Sequence, residues 1–195
     1  MLERRGPAML ALALLVLAGC GEEAEGTCTV GEPQGQCNAI ATSCVNGSRA
    51  HVAPCSEVSY QMSPPVFGDH YPTWAAFQTY DYPVPLGYLV HDLEHGAVVV
   101  FYDCPDGCAD EVAEVQNAID AWPADPLCSA DIVRRVILVP KPGLGVRWAA
   151  SAWGYSLKAD CFDAPLFADF YERHVGNAPE DFCNQGEVIA ATACQ

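Results

Sequence analysis

The stretch Val90-His91-Asp92-Leu93-Glu94-His95-Gly96-Ala97-Val98-Val99-Val100-Phe101-Tyr102 decides the fold. Its second half, from Gly96 to Tyr102, is a continuous apolar run. A strand reads this way when both of its faces are covered, as at the centre of a sheet that carries helices. Its first half is the densest polar cluster in the chain. Further along, Ala109 to Trp122 puts Val112, Val115, Ile119 and Trp122 on one helical face with acids opposite. Arg134 to Pro140 and Ser151 to Leu157 read as two more strands. Asp163 to His174 reads as a second amphipathic helix, with Asp163 as its cap and Leu166, Phe167, Phe170 and Tyr171 facing inward. On the N-terminal side, Ser63 to Gly87 holds five prolines and should be ordered but irregular. Glu57 to Met62 reads as a short strand. The expected class is α+β, or α/β: a small mixed sheet with two main helices and a proline-rich irregular segment, stapled by disulfides.

The two ends read differently. Arg4 and Arg5 precede an unbroken apolar run from Met9 to Ala18, which is too short to span a bilayer as a permanent helix. Leu17-Ala18-Gly19-Cys20 closes it. This pattern resembles the bacterial lipobox, so residues 1–19 are expected to be a lipoprotein signal peptide and Cys20 the lipidated residue. Gly21 follows where aspartate would retain a lipoprotein at the inner membrane. The expected location is therefore the cell envelope, with the outer membrane favoured and the lipid as the contact with the membrane. Residues 20–50 read as a tether ending in a cysteine knot, 51–179 as the main domain, and 180–195 as a cysteine-containing tail.

Composition fits an exported chain. The net charge is −16 over 195 residues, and loss of the leader leaves it slightly more acidic. Such a surface argues against nucleic acid as a partner. Of eleven cysteines, ten remain once Cys20 is set aside. An even number in an exported chain reads as disulfides. Local pairing is expected: Cys104 with Cys108, Cys183 with Cys194, and Cys28, Cys37, Cys44 and Cys55 among themselves. No tight Cys-x-x-Cys pair occurs, so a cysteine-based zinc site is discounted. The Cys104/Cys108 pair sits between a strand and a helix start, as redox cysteines do, but its spacing and flanks favour a structural staple.

The chemistry converges on histidine. His91-x-x-Glu94-His95 puts two imidazoles on one face of a helix, with Glu94 beside them as a ligand or general base. The letters match an inverted zinc-peptidase motif, but only eight residues lie between Gly87 and Gly96, and that helix is short for a peptidase. His70, in Gly68-Asp69-His70-Tyr71-Pro72, could join His91 and His95 in a three-imidazole site for copper or zinc, completed by Glu94 or His51. Equally, these histidines could serve as hydrogen-bonding architecture. A third possibility is a metal-dependent enzyme in which Glu94 is the base on a metal-bound water. His174, at a helix end, reads as a dipole partner. No nucleophile elbow, phosphate loop or dinucleotide fingerprint is present.

The ordered motifs Ser63-Pro64-Pro65 with Gly68 and His70, Trp74, Tyr80 with Pro83-Val84-Pro85, Val90 to Gly96, and Ala152-Trp153-Gly154 together resemble the bacterial domain of unknown function 3105 family over about residues 51–179. His51 falls where that family tends to carry a histidine. Val66-Phe67 and Asp69 depart from its pattern. The resemblance implies an architecture and singles out His70, His91, Glu94 and His95 as motif positions. It implies no reaction.

Overall fold

The computed structural model describes residues 26–45, 47–129 and 131–195. The leader and Cys20 lie outside them. In chain order the elements are β1 (Cys28–Val30), β2 (Ile40–Cys44), α1 (Leu86–Glu94), β3 (Val98–Tyr102), α2 (Ala109–Asp120), β4 (Val136–Pro140), β5 (Trp148–Ala152), β6 (Tyr155–Ala159) and α3 (Ala164–His174). They build one mixed six-stranded sheet in the order β1-β2-β6-β5-β3-β4. Only β3 and β4 run parallel. A parallel pair cannot be joined by a tight hairpin, and α2 supplies the crossover. The α+β, disulfide-stapled architecture expected from the sequence is the one found.

The apolar run of β3 follows from its place in the sheet. Val98, Val100 and Tyr102 point to a core shared with Val115 and Ile119 of α2 and Phe167, Phe170 and Tyr171 of α3. Val99 and Phe101 point to the opposite core, against Leu89, Val90 and Leu93 of α1 and Tyr80, Val84 and Trp153. Two helices thus cover one face. The third helix and the irregular segment cover the other, which leaves β3 no polar side. Asp163 caps α3 as expected, its Oδ1 accepting the Leu166 N–H at 3.1 Å.

Several expectations need correction. Ser151 to Leu157 is not one strand but the two halves of a hairpin, β5 and β6, turning at Trp153-Gly154, where Gly154 has φ +79. Both arms are apolar enough to hide a turn that glycine makes sterically free. Glu57 to Met62 alternates exposed and half-buried residues but has no strand beside it. A period of two cannot make a strand without a partner. Within the expected tether, β1 and β2 extend the sheet by pairing onto β6. The tail is also part of the body: Glu187 bridges Ala75, and Ile189 is buried.

Disulfide pairing was only partly local. Cys104–Cys108 and Cys28–Cys44 form as expected. Cys183 and Cys194 do not pair with each other. They join Cys128 and Cys55, while Cys37 joins Cys161. The sheet dictates this. Cys28 and Cys44 face each other across a strand pair, and the Asp160 N–H donates to the Cys37 carbonyl, which brings Cys161 alongside. No helix among the described residues is long and apolar enough to cross a membrane.

Candidate metal centre

α1 was not foreseen as a major helix, and it is the element that builds the site. It lacks a side-chain cap, begins after Pro85 and is only nine residues long. Leu86, Leu89, Val90 and Leu93 form an apolar stripe at helical spacing, but its polar residues are buried as well, so no solvent-facing side marks it. Its end is set by backbone geometry. The Gly96 N–H donates to the Leu93 carbonyl and the Ala97 N–H to the Asp92 carbonyl. Gly96 sits at φ +85, and a Cβ there would lie 2.8 Å from the Gly176 Cα. This is a Schellman ending, with glycine in the left-handed position. It turns the chain straight into β3 and leaves His91, Glu94 and His95 together at the end of a buried helix.

Two histidines come to that point from the irregular segment. Residues 51 and 70 form a short parallel bridge, with the Val52 N–H donating to the His70 carbonyl and the His70 N–H to the Ala50 carbonyl. The His70 Nδ1–H donates to the Gly68 carbonyl at 2.8 Å, and the His91 Nδ1–H to the Tyr71 carbonyl at 2.6 Å. Each carbonyl contact orients its ring through Nδ1 and leaves Nε2 as the atom turned toward the other site residues, the placement in which an imidazole binds metal. His70 Nε2 lies 2.9 Å from Glu94 Oε2 yet makes no hydrogen bond, so the ring does not aim its edge at that oxygen. Both side chains are almost fully buried.

Ligand atoms of His51, His70, His91 and Glu94 all lie within 4.8 Å of one another. His51 Nε2 is 3.9 Å from Glu94 Oε2 and is the exposed member of the set. Arg49 Nη1 lies 3.5 Å from the other Glu94 oxygen. His95 groups differently from the expected His70/His91/His95 triad. It clusters with Glu94 and Glu180, while its Nε2 approaches His91 Nε2 at 3.0 Å. Burial lowers the pKa of His91 to about 4 and that of His95 to about 3, helped by the neighbouring imidazoles. Both rings are therefore neutral at neutral pH.

The walls explain residues that the letters alone did not. Asp92, fully buried, accepts the Ala75 N–H at 3.0 Å, and burial raises its pKa well above the ordinary carboxylate value. Its contact pins the loop that carries Trp74, whose ring lies 5.3 Å from His91 and 4.6 Å from His95. Phe182 closes over His95 at 3.8 Å. Arg135 binds the His95 carbonyl at 2.7 Å and Asp181 at 2.6 Å, tying the tail to the site. Trp74 is a motif position of the family resemblance to which the sequence assigned no role, and Arg135 and Glu180 carry no local sequence signal, because their roles depend on contacts across the fold. His174 stays apart. It stacks on Tyr155 at 4.1 Å, and burial lowers its pKa, so it is a neutral packing residue more than a cationic dipole partner.

The family described as "Protein of unknown function (DUF3105)" matches residues 51–186. The chain belongs to that family. No curated protein and no solved structure matches it. The DUF3105 region holds all four residues of the histidine–glutamate set together with His95 and Glu180. The strands β1 and β2 lie ahead of it.

Proposed function

We propose that this chain is a lipid-anchored protein of the bacterial cell envelope whose DUF3105 domain binds a transition metal through His51, His70, His91 and Glu94. One observation carries the metal reading. His70 Nε2 and Glu94 Oε2 sit 2.9 Å apart in a buried site without a hydrogen bond, while the His70 Nδ1–H is already given to Gly68. A buried imidazole nitrogen this close to a carboxylate oxygen is balanced by a proton or by a metal ion, and the further imidazoles of His51 and His91 within 4.8 Å favour the metal. Three imidazoles and one carboxylate suit zinc or copper. Ligand atoms around a tetrahedral ion with bonds of about 2.0–2.2 Å stand about 3.3–3.6 Å apart. The known pairs fall on either side of that spacing, His70–Glu94 at 2.9 Å and His51–Glu94 at 3.9 Å, and exposed His51 is the member with most room to adjust.

Glu94 at ligand distance favours binding over the alternative in which it acts as a general base. The Leu17–Cys20 lipobox and the five disulfides support the envelope location. Elemental analysis of protein purified without an affinity tag, or reconstituted with zinc or copper, tests the metal reading. At least one tightly held equivalent, lost in His70→Ala and retained in His174→Ala, is expected. A protein that stays metal-free after reconstitution and is merely destabilised by His91→Ala would show the histidines to be architectural. Mass spectrometry of the membrane-extracted protein tests the anchor, with diacylglyceryl on Cys20 as the expected product.

A further inference from the structure

The site does not end at four ligands. His95 is 2% exposed, and its Nε2 faces two groups: His91 Nε2 at 3.0 Å and Glu180 Oε2 at 3.6 Å. Its other ring nitrogen is buried without a hydrogen-bond partner. Glu180 is held in place from the backbone, its N–H donating to the Glu94 carbonyl at 3.0 Å. Ligand atoms of Glu94, His95 and Glu180 lie within 4.8 Å of one another. Glu94 thus belongs to both groups. A carboxylate shared between two ligand sets, with one imidazole of each set within hydrogen-bond distance of the other, suits a two-metal centre, in which the ions stand about 3.5–4 Å apart.

We propose that the DUF3105 domain holds two metal ions, the second bound by His95 and Glu180 and bridged to the first through Glu94. This rests on the one-metal reading above and extends it. In the metal-free protein the His95 Nε2–H donates to the His91 lone pair, and loading both positions replaces that hydrogen bond. The donor sets differ. The first position offers three imidazoles and the shared carboxylate. The second offers one imidazole and two carboxylates, one of them from Glu180, whose side chain is 48% exposed. The first position is therefore the tighter for zinc- or copper-like ions. The second is the weaker, suits a harder divalent ion, and is open to solvent on the Glu180 side.

Cobalt(II) titration of the metal-depleted full chain tests this, followed by visible absorption and paramagnetic resonance and checked by equilibrium dialysis. Two equivalents are expected, entering in two phases, with the second weakening the resonance of the first through coupling across the shared carboxylate. Glu180→Gln, a substitution at a half-exposed position, should keep the first phase and lose the second. A single equivalent in the unaltered chain overturns the second position and leaves the first standing. Two equivalents that persist in Glu180→Gln overturn it as well. No bound cobalt overturns both readings together.

Discussion

Replacing Arg135 tests how the fold holds the site. Its guanidinium is 2% exposed and has several partners: Asp125 Oδ2 at 2.6 Å, Asp181 Oδ1 at 2.6 Å, the His95 carbonyl at 2.7 Å and the Phe182 carbonyl at 3.3 Å. Arg135→Met removes the charge and keeps much of the volume. Asp181 is half exposed, and water takes over its solvation, so that pair contributes little. Asp125 is 5% exposed and keeps only the Leu127 N–H. Leaving such a carboxylate buried without its cation costs about 3–5 kcal/mol. Domains of this kind are stable by about 5–15 kcal/mol in total, and each kcal/mol moves the melting point by about 2–4 °C at this size. A fall of roughly 6–20 °C is expected in calorimetric or circular-dichroism melts, with the denaturant midpoint falling in step. The double variant Arg135→Met/Asp125→Leu should recover most of the loss, since an apolar pair of similar volume replaces a buried ion pair at little cost. A single variant within 1 kcal/mol of the parent, or a double variant no better than the single, would refute the reasoning.

Other perturbations separate other contributions. Gly96→Ala forces a side chain into φ +85 against Gly176; a loss of about 1–3 kcal/mol is expected by chemical denaturation, together with weaker metal uptake because the helix end shifts. For the metal-free protein, His91 and His95 stay neutral in the fold down to about 4 and about 3, whereas the unfolded chain takes up those protons near 6.5. The unfolded state then binds more protons across that window, so stability is full above pH 6.5 and falls as the pH drops toward 4. A denaturant midpoint constant over that range, or a His91→Gln/His95→Gln variant with an equally steep profile, would count against it. Among the disulfides, Cys37–Cys161 closes a span of 124 residues and Cys104–Cys108 one of 4. Removing the first should cost about 5 kcal/mol and the second about 2 by loop entropy. The reverse order in denaturation experiments would place the stabilisation elsewhere.

How much of this was legible without coordinates depends on the range of the interaction. β3 was legible because burial on both faces leaves an unbroken apolar run. α2 and α3 were legible because one buried face leaves a 3.6-residue period, and the Asp163 cap lies within three residues of its donor. The Cys104–Cys108 staple spans a single loop. α1 was harder: its stripe of Leu86, Leu89, Val90 and Leu93 covers only nine residues behind a proline-rich segment, and its polar residues are buried too, so it lacks the solvated face of the longer helices. The β5–β6 hairpin read as one strand because Trp153 and Gly154 interrupt neither the apolar character nor the spacing.

The site divides along the same line. His91, Glu94 and His95 were identifiable together because helical geometry puts residues three and four apart on one face. His70 and His51 could be named as candidates, but nothing in the letters brings residue 51 beside residue 70. Only the backbone bridge between them does so. The separation of His95 from the first ligand set, its grouping with Glu180, and the anchoring of the tail by Arg135 depend on where β4 and the chain's last residues settle. Local sequence therefore determined the individual elements and the chemical character of the site, through forces that act over a few residues. Disulfide partners, sheet membership and the assignment of each ligand were decided by tertiary structure, because they depend on distances between segments far apart in the chain that only the packed sheet fixes.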